Sequence, residues 1–158
     1  MNQIELRLSA IGLTVPDAPA PAGAYVPAIQ DGRRVYTSGQ LPMAAGSLLQ
    51  TGKVGEGDGL VSPEQANKLA EVCALNALGA IKALVGDLER VAQVIKVVGF
   101  VASDPSFTGQ PGVINGASDL FKVAFGDAGT HARSAVGVAA LPLDAPVEVE
   151  VLVALKDE

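Results

Sequence analysis

The first apolar residues of the chain recur at helical spacing. Isoleucine or leucine at intervals of four and three residues predicts a short amphipathic helix over residues 2–13. Residues 15–23 hold three prolines, which favours an extended connector because proline lacks the N–H that helices and sheets use. We expect residues 1–23 to form a helix and an arm that pack on a single domain, residues 1–158.

Strand patterns follow the arm. Residues 25–30 and 34–38 predict two strands, because the Asp31-Gly32 dipeptide between them is typical of a tight hairpin turn. Residues 41–60 are rich in glycine and lack a sustained period, so they predict a long loop.

A long helix and a long strand occupy the middle of the chain. Ser62, Pro63 and Gln65 have the spacing of a capping box with proline in the first turn, so a helix is expected from there to about Leu84. Residues 91–102 predict a strand with apolar residues on both faces, Val94, Val98 and Phe100 on one and Ile95, Val97 and Val101 on the other. We therefore expect both faces of this strand to be covered.

The last third of the chain again shows the helical and the strand periods. Residues 113–125 predict a second long helix that ends at Gly126, and residues 133–140 and 147–155 predict two strands. We interpret the last two strands as a hairpin. The resulting order, ββαβαββ, predicts an α+β fold in which two helices pack on one face of a single mixed sheet.

Alternation assigns faces to the last two strands. Valines at every second position from 147 predict the core face, which leaves Glu148 and Glu150 on the other face. In the preceding strand, Val136 and Val138 are expected in the core, which places Arg133, Ala135 and Gly137 on the non-core face with both glutamates. The hairpin register separates Arg133 from Glu148 by roughly 20 Å, so the two either meet across a subunit boundary or are ordinary solvated residues.

Composition and charge exclude several classes of protein. Apolar residues make up 49% of the chain and charged residues 18%, which argues against disorder and favours a subunit interface. Seventeen acidic residues stand against eleven basic ones, for a net charge of −6, and Arg33-Arg34 is the sole adjacent basic pair, so nucleic acid is not an expected partner. No apolar stretch reaches the length of a membrane span, and a single cysteine favours the reducing cytoplasm.

Few residues suggest metal or nucleophilic chemistry. His131 and Cys73 are the only histidine and cysteine, so no clustered zinc ligand set is expected. Cys73 lies on the small-residue stripe of the predicted helix, which favours a buried structural thiol. Ser38 lacks a plausible histidine–acid pair unless His131 reaches it across a subunit interface, which disfavours a serine hydrolase.

Several motifs together resemble one family. They are Ala24-Tyr25-Val26, the segment from Tyr36 to Pro42, Ala132 to Val136, Leu141-Pro142 and Val147 to Glu150. This combination resembles the YjgF/YER057c/UK114 family, also called the Rid family. The resemblance implies a chorismate-mutase-like fold, assembled as a homotrimeric barrel with ligand sites in the clefts between subunits.

The resemblance also implies an activity and a set of site residues. Members of the best-understood branch hydrolyse 2-imino acids, or their enamine tautomers, to 2-keto acids and ammonia without a cofactor, and this chain resembles a longer branch of the family. Arg133 matches the arginine that clamps the substrate carboxylate, and Glu148 matches the acid that orients or activates water. Tyr25 matches an aromatic residue at the wall of the cleft, and Ser38-Gly39 matches the segment that lines its floor. The backbone N–H of Ala135 is expected to give the ligand a further polar contact.

Two departures from the family pattern leave a second hypothesis open. Ala135 replaces a frequent cysteine, and Gly137 replaces a frequent acid. A trimer that binds a small carboxylate without turnover is therefore the alternative to the deaminase. An endoribonuclease is less favoured, because an acidic chain with one histidine offers little for phosphate binding or acid–base cleavage.

Overall fold

A computed structural model describes residues 1–18, 20 and 23–158. The predicted arm at residues 15–23 therefore includes three residues, Pro19, Pro21 and Ala22, that lie outside the described ones. The described helices are α1 (Gln3–Ser9), α2 (Pro63–Val85) and α3 (Gln110–Phe125). The strands are β1 (Ala28–Asp31), β2 (Arg34–Thr37), β3 (Met43–Ala44), β4 (Ser47–Leu48), β5 (Val91–Ala102), β6 (Ala132–Val138) and β7 (Val147–Leu155).

Five strands form one mixed sheet in the order β1-β2-β7-β5-β6. Every neighbouring pair is antiparallel except β5 and β6, which run parallel. Strands β3 and β4 form a separate two-stranded hairpin within the predicted loop. The α+β class and the mixed sheet are thus confirmed, with three described helices instead of two in the main layer.

The predicted hairpin of the last two strands is wrong. Strand β5 lies between β6 and β7 and pairs with both of them. Parallel strands need a long crossover connection, and α3 supplies it between β5 and β6. The turn after β6 therefore carries the chain across β5 instead of folding β7 back beside β6.

The ends of α2 follow the predicted capping chemistry. The Ser62 side chain accepts a hydrogen bond from the Gln65 N–H at 3.2 Å, and the Gln65 side chain accepts one from the Ser62 N–H at 3.2 Å. Pro63 occupies the first turn, where its missing N–H costs nothing. Gly86, with φ of 86°, ends the helix in a conformation that favours glycine.

One face of the sheet packs against the helices and forms the core. The inward side chains of β7 are buried at every second position, as the alternation predicts: Val147, Val149, Val151 and Val153. Gly99 of β5 allows α3 to approach closely, because a Cβ there would overlap Ile114. Helix α1 joins the same layer, with Leu8 fully buried and the Arg7 Nη1 donating to the Ala124 carbonyl at 3.1 Å.

Strand β5 does not alternate as predicted. Its pairing with β7 shifts register between Val91 and Gln93 and again between Val94 and Lys96. Each irregularity adds a residue and reverses the faces that follow it. Val94 and Val97 therefore both lie in the core, although strict alternation places them on opposite faces.

The other face of the sheet carries no described helix, and we call it the open face. Its exposed or half-buried side chains are Ile29, Tyr36, Ile95, Val98, Phe100, Val136, Leu152, Glu148 and Glu150. So many apolar side chains on one surface are typical of a protein interface. Among the described residues, no helix is both long enough and apolar enough to cross a bilayer.

Candidate functional site

Glu148 lies on the open face of β7, directly against the backbone of Gly39. A Cβ added at position 39 would overlap the Glu148 carboxylate, so a larger residue there would displace that side chain. Gln40 holds this segment along β7 through two backbone hydrogen bonds with Val149, of 2.8 and 3.0 Å. The predicted floor residue and the predicted acid are therefore brought together.

Ser38 ties the same segment to the chain around Tyr25. Its Oγ donates to the Val26 carbonyl at 2.6 Å, and its N–H donates to the Pro27 carbonyl at 2.8 Å. Tyr25 is 63% exposed and stands at the rim of the adjoining cavity. Four of the predicted site residues, Tyr25, Ser38, Gly39 and Glu148, thus occupy one region of the fold.

The environment of Glu148 raises the pKa of its carboxyl. Partial burial raises the pKa of this carboxyl above its usual range, and the nearby Glu150 charge raises it further. Its carboxylate makes no hydrogen bond with any residue in the described part of the chain, so its oxygens are available to a ligand or water. A half-buried acid with a raised pKa is suited to general acid–base work.

A cavity of about 420 Å³ is lined by Gly39, the residue that Glu148 lies against. Its volume lies within the range of small-molecule binding pockets. The walls come from the arm, the Ser38–Gly39 segment, the β3–β4 hairpin and α2: Pro16, Asp17, Ala20, Tyr25, Pro27, Ser38, Gly39, Gln40, Leu41, Met43, Ala44, Ala45, Gly46 and Asn76. Sequence reasoning does not find this cavity, because it depends on contacts between distant segments.

Arg133 lies on the helix side of the sheet, not on the open face. Arg133 is paired across the sheet with Val97, which is paired with Val151, and both valines point into the core. Glu148 is instead paired with Phe100, which lies on the open face. The expectation that Arg133 shares a face with Glu148 and Glu150 is therefore wrong. Val136, expected in the core, is 44% exposed on the open face.

The reason for this reversal lies at the edge of the sheet. Strand β6 is an edge strand, and on its helix side polar side chains of α3 replace an apolar core. Arg133 Nη1 donates to Asn115 Oδ1 at 2.7 Å and to Ser118 Oγ at 3.2 Å. The two partners are three residues apart and share one helix face, a spacing visible in the sequence once Arg133 is known to face α3.

His131 extends this network. Its Nδ1 lies 2.6 Å from the Gly129 carbonyl, which only accepts, so Nδ1 carries the proton. Its Nε2 lies 2.9 Å from Ser118 Oγ and in the neutral ring accepts the serine proton. The Ser118 oxygen is then free to accept from Arg133. His131, Ser118 and Asn115 therefore fix the position of the guanidinium.

Ala135 and Gly137, the two departures from the family pattern, lie on the same face of β6 as Arg133. Ala135 packs against the hydrophobic core, so a backbone contact is what it can offer a ligand. At Gly137 a Cβ would lie 2.7 Å from the amide nitrogen of Gln110, which fills the space of a larger side chain. Gln110 is held there by the Phe107 carbonyl at 2.8 Å.

Cys73 is fully buried on α2, in agreement with a structural role. Burial raises the pKa of its thiol well above the usual range, and the Glu148 charge acts in the same direction. Within residues 1–18, 20 and 23–158, no group of three or more histidine, cysteine and acidic side chains is arranged to hold a metal ion.

Comparison with known proteins gives a family model that matches residues 5–155, described as "YjgF/chorismate_mutase-like, putative endoribonuclease". Protein TCP17 of Trypanosoma cruzi is 42% identical over 157 residues, which cover 99% of this chain and 96% of that protein. A 2-iminobutanoate/2-iminopropanoate deaminase of Dermatophagoides farinae is 32% identical over 146 residues, with coverage of 91% and 95%.

Solved structures show the same fold. The protein Atu1372 of Agrobacterium tumefaciens superposes with a TM-score of 0.88 at 45% identity, covering 97% of this chain and 92% of that one. The Escherichia coli protein TdcF, solved with bound serine, superposes with a TM-score of 0.59 at 25% identity, covering 89% and 94%. The similarity thus extends over almost the whole length of each protein.

Proposed function

The chain belongs to the YjgF/chorismate-mutase-like family, and we propose that it hydrolyses 2-imino acids, or their enamine tautomers, to 2-keto acids and ammonia. The observation that carries the proposal is the half-buried Glu148. The pKa of its carboxyl is raised, and the carboxylate lies against Gly39, which lines the cavity. The deaminase name of the mite relative supports the same reaction. The activity named in the family description, endoribonuclease, fits less well with a net charge of −6.

Glu148 suffices to move the protons of this reaction. Water adds its oxygen to the carbon of the protonated imine, whose nitrogen already carries two protons, while the Glu148 carboxylate takes one of the water protons. Glu148 returns that proton to the nitrogen of the adduct, and the C–N bond breaks with its electron pair on nitrogen. The remaining hydroxyl proton leaves through Glu148 to solvent, which gives the 2-keto acid and ammonia.

Arg133 is the proposed clamp for the substrate carboxylate. Both of its hydrogen bonds use Nη1, and its Nε and Nη2 make none with residues that the structure describes. Those two nitrogens present the parallel donors that bind a carboxylate in bidentate fashion. Asn115 and Ser118 therefore orient the guanidinium without occupying the edge that a ligand needs.

A single chain does not join this clamp to Glu148, because the two side chains leave opposite faces of the sheet. We therefore propose a homotrimer in which Arg133 of one subunit faces Glu148 and Tyr25 of a neighbour. Three copies that close around an axis would also bury the open face, which otherwise exposes apolar side chains to water. The free thiol of Cys73 is consistent with a cytoplasmic location.

A trimer that binds a small carboxylate without turnover is the second candidate. Ala135 and Gly137 favour it, because the Gln110 amide occupies the place of a possible second acid. The bound serine in TdcF shows that a relative holds a small ligand. Both candidates need Arg133, and only the deaminase needs Glu148 as an acid–base group.

The deciding experiment measures the lifetime of imino acids. An L-amino-acid oxidase generates the imine, semicarbazide traps it, and an active protein lowers the yield of the trapped product. Glu148→Gln should reduce that activity at least about 100-fold, whereas Glu150→Gln should keep most of it. Unchanged trapping across several amino acids, with 2-keto acids still bound, would establish the binding protein instead.

A further inference from the structure

The 420 Å³ cavity and Glu148 have one neighbour in common. Gly39 lines the cavity, and a Cβ built on it would overlap the Glu148 carboxylate. A molecule whose reacting carbon lies at Glu148 therefore lies next to Gly39, and a substituent that extends past Gly39 reaches this cavity. For a 2-imino acid whose carboxylate is held at Arg133 of a neighbour, that substituent is the side chain.

The cavity is built before any ligand arrives. Asn76 of α2 donates through Nδ2 to the carbonyls of Leu41 and Met43, both at 3.0 Å, and so fixes the loop that leads into the β3–β4 hairpin. On the same helix, Gly79 leaves no room for a side chain, because a Cβ there would overlap the Pro16 carbonyl. Two walls of the cavity, the hairpin and the arm, thus contact the same helix, which reduces the ordering cost of binding.

The chemistry of the walls selects the ligand. Proline, alanine, leucine and methionine side chains supply most of the surface, from Pro16 in the arm to Ala45 in the hairpin turn. The charged side chain among the lining residues is Asp17, an exposed carboxylate in the arm. Such a cavity favours apolar groups and repels acidic ones.

We propose that this cavity binds the side chain of the substrate and makes the protein selective for 2-imino acids with large apolar side chains. The inference rests on the proposed deaminase and adds its substrate class. Imines derived from leucine, methionine and phenylalanine are the preferred substrates, and those derived from alanine and glutamate are poor ones. Each buried methylene contributes about a fourfold gain in kcat/KM.

A series of substrates tests the selectivity directly. Imines of alanine, 2-aminobutyrate, norvaline and leucine are generated in turn, and kcat/KM should rise by about 60-fold from the first to the last, since the leucine side chain has three more carbons. The glutamate imine should fall well below the methionine imine, although their lengths are similar. A flat series, or one that falls with size, would overturn the inference and leave the deaminase proposal intact.

A substitution in the hairpin tests the location. Ala44 is an exposed lining residue of β3, so Ala44→Phe should fill part of the cavity without disturbing the core. It should lower kcat/KM for the leucine imine about 10-fold and leave the alanine imine nearly unchanged. Leu49→Phe is the matched control, because Leu49 is 52% exposed close to the hairpin and does not line the cavity.

Binding of products keeps the test decisive if no imine is hydrolysed. Calorimetry then compares pyruvate with 4-methyl-2-oxopentanoate, the 2-keto acids of alanine and leucine. Tighter binding of the larger acid, lost in Ala44→Phe and kept in Leu49→Phe, supports the side-chain cavity while the deaminase proposal fails. Equal binding of the two acids, or equal loss in both variants, overturns the cavity assignment.

Discussion

The Glu148 carboxylate occupies the space in which any residue larger than glycine at position 39 would place its Cβ. This contact joins the end of the first hairpin to the open face of β7, and Gln40 fixes it through its backbone pairing with Val149. The position of the acid is therefore set by backbone, which moves less than a side chain does.

Gly39→Ala should displace Glu148 and reduce activity while the fold survives. A shift of about 1 Å in a reacting group can cost roughly 100-fold in rate, so we expect a loss of that order in kcat. Gly112→Ala on α3 is the control, because its added methyl group meets nothing within 4 Å. The measurements are kcat and circular dichroism. Wild-type kcat in a folded Gly39→Ala protein would contradict the contact between these two residues.

Glu150 should set the pH at which Glu148 works. Glu148 must lose its proton to accept one from water, so activity should rise as the pH passes its raised pKa. The Glu150 charge contributes to that raised pKa, after burial. Glu150→Gln removes the charge and should move the acidic limb of the kcat profile to lower pH. Glu56→Gln, an exposed acid in the 41–60 loop, should leave the profile unchanged, and a shift to higher pH in Glu150→Gln would contradict the assignment.

Ser118 should act through Arg133 and not through the chemical step. Ser118→Ala removes the oxygen that accepts from the guanidinium and contacts His131. A hydrogen bond of this kind contributes about 0.5–1.5 kcal/mol, so KM should rise about 2- to 10-fold with kcat nearly constant. Ser106→Ala is the control, because Ser106 bonds to Asp104 at the surface, away from the site. Restoration of KM by Ser118→Thr separates positioning from general damage.

The sequence predicts the elements of this fold better than their arrangement. Strand β7 is assigned correctly because four valines repeat the two-residue period without interruption. Strand β6 is also predicted as a strand, but its faces and its neighbour are predicted wrongly, because its small residues carry little hydrophobic signal and its neighbour is chosen by the α3 crossover, not by the adjacent turn. The bulges in β5 likewise leave no local signature in the sequence.

In the candidate site too, the residues are easier to predict from the sequence than the contacts between them. Tyr25, Ser38, Gly39 and Glu148 are predictable as a group because each lies in a motif that resembles the family pattern. The partners of Arg133 are not, because the orientation of its side chain depends on which face of β6 meets α3. The cavity requires Pro16, Asn76 and the β3–β4 hairpin to come together, and no pattern within any one of them indicates that.

Arg133 and Glu148 should complement each other between subunits. Arg133→Ala and Glu148→Gln each remove one half of every site, so each homotrimer should be inactive. After the two variants exchange subunits in equal amounts, a site is intact when the subunit that gives Arg133 is the Glu148→Gln chain and its neighbour is the Arg133→Ala chain. Random closure of a ring gives this arrangement at about one quarter of the sites, so about one quarter of the wild-type activity should return.

The measurement is imine hydrolysis after subunit exchange, with native mass spectrometry to verify that mixed trimers have formed. Exchange of Arg133→Ala with the double variant Arg133→Ala/Glu148→Gln is the control, because no arrangement of those chains restores an arginine. A site contained within a single chain would recover no activity in any mixture, because every chain in it lacks either Arg133 or Glu148. Verified mixed trimers without activity, or a monomer by light scattering, would therefore exclude the shared site, whereas recovery near one quarter would establish that neighbouring subunits build it together.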